Sequence, residues 1–436
     1  LRERQIDTFV SHSSLGLEER RAAEEAFAQK QNCVIVAKSS LELGLDVGDL
    51  DRVIQIDAPA TVSSFLQRMG RTGRRAGTRS NCLFLATSDE GLLRAAALLE
   101  LWGRGFVEPV NAPPKPFHIL AQQLMALVLQ ERGVGRRAFV EWLADVPAFA
   151  AMPSEQIEAL VDHLVHTGTL FEDAGILSFG PEGEAEYGRK NFLEILSVFT
   201  SPPLFRVISG QKELGNVHES TFYKKQDGPV ILVLAGRNWK TNHLDWNRRI
   251  AYVEPTDEKG RSRWIGEGQF LSFRVCQAIR RVLAAETTEP YWSQRATAQI
   301  GEIRLEYPWA ADECTTLVQQ ANGEVQWWTF AGGLANSIVM DHLGGGSKAK
   351  TDNLCLRFSS TLKLADVESL IASRIRDEII PVPSEEAISN LKFGECLPPP
   401  IAGEVFAARF NDPEAIANIR REPMRVVVVG EGNGEA

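Results

Sequence analysis

The stretch Gln67-Arg-Met-Gly-Arg-Thr-Gly-Arg74 decides how this chain is read. It closes a helical run from Thr61 to Met69, in which Phe65, Leu66 and Met69 share one face. Arginines at fixed spacing beside tight-turn glycines are what a site needs when two guanidinium groups must reach a phosphate held by a neighbouring domain. Arg71 and Arg74 are the candidates for that role, with Gln67 beside them. From Gln67 to Arg79 the chain carries Arg68, Arg71, Arg74, Arg75 and Arg79 and no acid, although its net charge is −10. Phosphate contacts need a basic groove rather than a basic protein, so the overall sign does not exclude a polyanion partner.

Working outward, three apolar runs rich in β-branched residues read as buried strands: Cys33 to Ala37, Arg52 to Ile56 and Asn81 to Ala86. They alternate with the helix at Thr61 and an earlier one over Leu17 to Gln29, for which Ser14 is a possible cap. Alternation of strand and helix implies a parallel sheet. The first strand runs into Ala37-Lys-Ser-Ser-Leu-Glu-Leu-Gly-Leu-Asp46. Gly44 allows close backbone approach, and the Asp46 carboxylate can accept a ribose hydroxyl or hold the arginines. Ser39 and Ser40 can donate to nucleic-acid phosphates, with ordinary turn chemistry as the competing explanation.

Downstream, Ala112-Pro-Pro-Lys-Pro116 breaks any helix and reads as a linker. An amphipathic helix follows (Ile119, Leu120, Leu124, Leu127, Val128), then a second at Ser154 to His166 with Glu155 in its first turn. Two apolar runs about a Gly turn come next, Thr169 to Phe179, and helices followed by a hairpin suggest a winged helix. Between Phe205 and Phe273 short strands separated by Gly, Asn and Asp suggest a small β-barrel. The chain then turns helical, returns to strands at Glu324 to Phe330, and ends in helical stretches and an acidic, Gly-rich tail expected to be disordered.

The 436 residues call for about three or four domains. No run approaches the roughly 18 apolar residues that a membrane helix requires, and the cytoplasm is the expected location. The six cysteines are far apart and form no Cys-x-x-Cys pair, so they read as reduced thiols rather than zinc ligands or a disulfide framework. His163 and His166 could share a metal, but no second ligand pair has the spacing, and no metal site is assigned. Gly344-Gly-Gly-Ser-Lys348 lacks the order of a phosphate loop. The opening on Leu1 reads as a fragment of a longer protein.

The two elements around Asp46 and Arg71, in this order, resemble motifs V and VI of superfamily 2 helicases. The finer resemblance is to the Lhr (large helicase-related) family, whose motif V typically reads Thr-Ser-Ser-Leu-Glu-Leu-Gly-Ile-Asp. This chain keeps Ser39-Ser-Leu-Glu-Leu-Gly-Leu-Asp46, with Lys38 where Thr is usual. Ser11-His-Ser-Ser-Leu15 is similar to the preceding nucleic-acid-binding loop of the family, which puts His12 among the strand contacts. The resemblance extends past the motor, unlike that of DEAD-box proteins: Leu120-Ala-Gln-Gln-Leu-Met-Ala126, Leu234-Ala-Gly-Arg-Asn-Trp239, Trp327-Trp-Thr-Phe-Ala-Gly-Gly-Leu-Ala-Asn336 and the ending Leu391-Lys-Phe-Gly394 to Pro413 all look like family segments. It implies an ATP-dependent translocase moving 3′ to 5′ on single strands. It also implies a barrel tryptophan that stacks on a base, which Val253-Glu-Pro255 followed by Arg263-Trp-Ile-Gly266 places at Trp264 beside Arg263. A core tryptophan is the alternative there.

The expected fold is multidomain α/β plus α+β. It comprises a partial RecA-like parallel-sheet domain (1–110), a winged helix (111–190), a β-barrel-containing domain (191–345), a helical C-terminal region (346–429) and a disordered tail (430–436). The chain has no Gly-x-x-x-x-Gly-Lys-Ser/Thr, so ATP and Mg²⁺ are expected to be held mainly by an N-terminal RecA-like domain supplied in cis or as a separate chain. Arg71 and Arg74 would act as arginine fingers there, with Gln67, Gly44 and Asp46 at the nucleotide. The partners would be single-stranded DNA or RNA and DNA:RNA hybrids, gripped by His12, Lys38, Ser39, Ser40, Arg263 and Trp264. A non-catalytic strand-binding module, or one subunit of a split helicase, is the competing reading, and a base glycosylase a weaker third.

Overall fold

A computed structural model describes residues 4–11, 21, 25–26, 32–37, 50–188, 190–197, 204–210, 212–218, 222, 229–234, 237–246, 248–258, 270–286, 289–344, 349–376, 378–381, 388 and 391–429. The chain forms two units, and it passes between them more than once. The first contains Leu1–Glu108, Pro202–Gln269 and Glu286–Glu306; the second contains Pro109–Ser201, Phe270–Ala285 and Tyr307–Ala436.

In the first unit, β1 (Asp7–Ser11) pairs in parallel with β2 (Cys33–Ala37), and β3 (Val53–Ile56) in parallel with β4 (Cys82–Leu85). Helix α1 (Val62–Met69) is the crossover between β3 and β4, and α2 (Asp89–Gly103) follows β4. Ser88 caps α2 by accepting from Gly91 N, and Asp89 and Glu90 complement the helix dipole. The expected parallel pairing is present, but the strands are not buried on both faces. Ile54, Ile56, Leu83 and Leu85 are exposed, Ile56 by 72%. A single crossover helix covers one face of a parallel pair, and here Gln55 and Phe84 lie on the covered side.

The second unit opens with α3 (Phe117–Glu131), β5 (Val134–Gly135), α4 (Phe139–Trp142), α5 (Ser154–His166), the hairpin β6 (Leu170–Asp173) and β7 (Ile176–Phe179), and α6 (Pro181–Tyr187). The strands form an antiparallel sheet in the order β5-β7-β6. Helix α3 is more buried than an amphipathic surface helix, because residues from Leu391 to Val405 join Phe117, Leu120, Leu124, Met125 and Val128 in one core.

Residues 204–255 return to the first unit as β8 (Leu204–Ser209), β9 (Lys212–His218), β10 (Ile231–Leu234), β11 (Arg237–Asp245) and β12 (Ile250–Pro255). They make one sheet in the order β10-β11-β12-β8-β9, with β12 and β8 parallel and every other pair antiparallel. Phe205, Val207, Leu232, Leu234, Trp239, Ala251 and Val253 form its core. Trp239 donates from Nε1 to the Leu234 carbonyl at 3.2 Å, the partner a buried indole needs.

Helix α7 (Phe273–Ala284) belongs to the second unit and α8 (Gln294–Glu306) to the first, where α8 packs on α2. The rest of the second unit is β13 (Thr315–Gln319), β14 (Val325–Trp328), α9 (Gly333–Leu343), β15 (Lys350–Thr351), β16 (Cys355–Phe358), α10 (Leu364–Arg374), α11 (Pro399–Arg409), α12 (Pro413–Arg421) and β17 (Met424–Val428). Its sheet runs β15-β16-β14-β13-β17, with β17 parallel to β13.

Two expectations change here. Residues 346–429 are not a helical region, because they contribute three strands to a sheet whose other two lie before Gly345. Likewise 191–345 is not one domain, since its β8 to β12 sheet and helix α7 belong to different units. The segment from Trp327 to Asn336 is core: Trp327 is 1% exposed, and the buried Asn336 accepts from Thr329 Oγ1 at 2.6 Å and donates to the Asp352 carbonyl at 2.9 Å.

Candidate functional site

The arginine stretch occupies the end of α1 and the loop after it. Helix α1 is fixed at its start, where Thr61 Oγ1 accepts from Ser64 N at 3.1 Å. The N–H groups of Val62 and Ser63 donate to the two carboxylate oxygens of Glu108 at 2.7 and 2.8 Å. A carboxylate on the first-turn amides satisfies otherwise orphaned donors and opposes the positive end of the helix dipole. Glu108 lies 45 residues from Ser63 in sequence, so no local pattern announces it. On the covered face of the sheet, Val62 and Phe65 are buried, and Phe65 packs on Phe84 at 5.2 Å and edge-on to Trp102 at 6.0 Å.

The helix ends at Gly70, and the loop is then tied to the strands. Thr72, 2% exposed, donates from Oγ1 to the Met69 carbonyl and accepts from Asn81 N, each at 2.8 Å. Leu50 N donates to the Arg71 carbonyl at 3.0 Å. Gly73 has φ +72, and a Cβ there would stand 2.5 Å from Ser80 N, so the backbones of 73 and 80 touch where no side chain fits. Thr72 is therefore a buried peg between two arginines whose backbone is held on both sides.

The arginines divide by environment. Arg68 turns inward and donates to Gln55 Oε1 at 3.0 Å, while Gln55 Nε2 faces Cys82 Sγ at 3.3 Å. This is a structural role, and burial pushes the Cys82 thiol up from its ordinary range. Arg71 is half-buried beside the peg. Arg74 is exposed and donates from Nε to the Gly70 carbonyl at 2.9 Å, which fixes the root of its guanidinium. Gln67 sits on the exposed side of α1. The structure thus places Gln67, Arg71 and Arg74 on one helix and the hydrogen-bonded loop that follows it. His12, Lys38, Ser39, Ser40, Gly44, Asp46, Arg263 and Trp264 lie outside the described residues.

Other charged clusters read as structure. Arg136 bridges Glu158, Asp162 and Glu172 across α5 and the hairpin. In the second unit a cleft of about 480 Å³ lies along α7 and α12, and its Arg280 makes two bonds to Glu422 at 2.7 and 2.9 Å while Arg274 pairs with Glu414. These pairs link α7 to the C-terminal half of the cleft wall and leave these two cations with carboxylate partners. Among the described residues no group of three or more His, Cys, Asp or Glu could hold a metal ion, and no helix is long and apolar enough to cross a membrane.

The family described as the helicase conserved C-terminal domain matches residues 1–76. Over 276 residues the chain is 28% identical to the Lhr helicase/probable uracil glycosylase of Mycolicibacterium smegmatis, covering 59% of this chain and 18% of that protein. Over 292 residues it is 30% identical to the ATP-dependent helicase Lhr-Core of Methanothermobacter thermautotrophicus, covering 62% and 32%. The chain therefore spans less than a third of the length of either relative. The structure of Mycobacterium smegmatis helicase Lhr bound to ssDNA and AMP-PNP has a TM-score of 0.64, with 97% of this chain and 60% of that one covered at 18% identity, a likeness of fold. In sequence the chain is thus similar, over about three fifths of its length, to helicases of the Lhr type, and in fold it is similar to an Lhr helicase.

Proposed function

We propose that this chain is the arginine-finger half of an ATP-driven 3′ to 5′ translocase on single-stranded nucleic acid. The observation that carries the reading is the rigid loop at 70–74, where a buried Thr72 and a Gly73 with no room for a side chain hold two cations three residues apart on one element. The residues suit a polyphosphate: two guanidinium groups within a stretch, 67–79, that contains no carboxylate. ATP with Mg²⁺, bound mainly by a phosphate-loop domain, would supply the phosphoryl group whose transfer to water drives movement. Arg71 and Arg74 would neutralise charge growing on the transferring oxygens, and Gln67 would sense the nucleotide from the exposed face of α1. In this reading Gly44 and Asp46 line the same cleft, and Lys38, Ser39, Ser40, His12, Arg263 and Trp264 contact the strand.

Residues 117–179 have the helix, strand, helix, helix and hairpin order of a winged helix, and we read the β8 to β12 sheet as the barrel. The second helix of a helix-turn-helix normally enters a DNA groove. Here α5 occupies that place, carries no Lys or Arg, exposes Glu155 and ties Glu158 and Asp162 to Arg136, so it offers phosphates little to hold. We therefore assign the winged helix a scaffolding role and leave strand contact to the motor loops and the barrel.

The test is ATP hydrolysis by the complete protein carrying Arg71→Ala. Turnover is expected to fall by about a thousand-fold or more, the range for loss of an arginine finger, with strand binding unchanged to within a few-fold. Normal turnover would sink the assignment. The 436-residue chain alone should bind single strands without hydrolysing ATP, and strand-stimulated hydrolysis by it would show a complete phosphate site within the chain.

A further inference from the structure

At the β11 to β12 end of the barrel sheet, Trp246 is 46% exposed, although its ring stands edge-on to Phe205 at 4.9 Å with the planes at 80°. Phe205 is 0% exposed and sits in the core of that sheet. The indole is therefore anchored at one edge while much of it remains in water. An anchored aromatic loses little rotational freedom when a second flat group stacks on it.

Three exposed arginines lie on the same turn or on the strand beside it. Arg248 and Arg249 follow Trp246 in sequence, and Arg206 comes from the neighbouring strand, its N–H donating to the Arg249 carbonyl at 2.9 Å. Arg249 has φ +52, a left-handed residue that fixes the entry into β12. The nearby carboxylate of Asp245 is engaged in the turn itself, accepting from Arg248 N at 3.0 Å and lying 3.9 Å from Arg248 Nε.

We propose that Trp246 is a stacking platform for one base of a bound single strand, with Arg248 and Arg249 on the flanking phosphates. An exposed aromatic face followed in sequence by two exposed arginines matches the two repeating features of a single strand, a flat base and an anionic linkage. The proposal rests on the reading that the chain grips a single strand, but on neither the arginine fingers nor Trp264. It adds a second base contact to the one that Trp264 is expected to make.

The experiment is fluorescence anisotropy of the 436-residue chain on single-stranded oligonucleotides in which one abasic site is moved stepwise along the strand. Trp246→Ala should weaken binding about five- to a hundred-fold, the range for loss of one stacked base, while Trp246→Phe stays within a few-fold. In the wild type one abasic position should cost a similar factor, and Trp246→Ala should abolish the sensitivity at that position alone. Trp264→Ala should abolish it at a different one. The Arg248→Ala/Arg249→Ala double variant should make the salt dependence shallower by about 1.4 in the log–log slope, about 0.7 for each lost phosphate contact. Unchanged affinity in Trp246→Ala would overturn the platform, as would weaker binding with the abasic profile intact or a change confined to sedimentation state, which would mark a protein interface. Failure of the wild type to bind any strand would instead sink the strand-gripping reading itself.

Discussion

Gly73 and Gly77 both have positive φ, +72 and +81, and lie four residues apart in the same arginine-rich stretch, yet their surroundings differ. A Cβ on Gly73 would meet the backbone of Ser80 and Arg79 at 2.5 and 2.7 Å, whereas on Gly77 it would meet nothing within 4 Å. Gly77→Ala should cost only the left-handed penalty, about 1 kcal/mol. Gly73→Ala should cost more, on the order of 1 to 3 kcal/mol, because backbone must move as well. If the loop positions Arg71, Gly73→Ala should also depress ATP turnover in the complete protein at temperatures where the fold persists, and Gly77→Ala should not. Thermal melts paired with turnover measurements check both; equal effects would mean that the close approach to Ser80 does not matter.

The packing of α3 against α11 contains a titratable group that the helix pattern did not flag. His118 is 3% exposed, and its Nε2 lies 3.3 Å from Arg409 Nη1, so the ring accepts that bond in its neutral form. Burial, reinforced by the neighbouring guanidinium, lowers its pKa from 6.5 to about 4. The sign follows from linkage. Below pH 6.5 the unfolded chain takes up a proton that the folded chain refuses, so this contribution is fully present above 6.5 and is lost as pH falls toward 4. By pH 5 the loss amounts to about 2 kcal/mol. Denaturant midpoints of the wild type should therefore fall between pH 7.5 and 5 more steeply than those of His118→Gln, which keeps an acceptor for Arg409 but does not titrate. Parallel pH profiles would assign the fall to other groups.

At the scale of the whole chain, contiguous sequence is a poor guide to what folds together. The second unit's sheet takes β13 and β14 from one side of Gly345 and β15, β16 and β17 from the other, and the core around α3 includes Leu391, Phe393 and Leu397. A chain stopped at 345 loses three of five strands and leaves β13 and β14 with unpaired edges. It should not yield a protected second unit in limited proteolysis or native-state hydrogen exchange, whereas the full chain should. Equal protection in the two would show that the first two strands suffice.

The sequence by itself determined what is local or carried by a pattern: the parallel strands, the bounds of α1 and α5 nearly to the residue, the presence of a helix at α3, the hairpin at 170–179, and the resemblance to the family through Gln67 to Arg74 and Ser39 to Asp46. These follow from hydrophobic period, turn residues and short spacings, which neighbouring residues specify. It did not determine what covers those elements. Strands rich in β-branched residues were read as buried, yet half of each faces outward, because period-2 composition does not say whether a second layer is present. Only the tertiary structure decided that Glu108 caps α1, that Arg68 turns in to Gln55 while Arg74 faces out, that Trp239 and Trp327 are core and Trp246 is not, and that residues beyond 345 complete an earlier sheet. The physical reason is shared: each of these depends on a partner distant in sequence, and one-dimensional patterns carry no information about which distant group arrives.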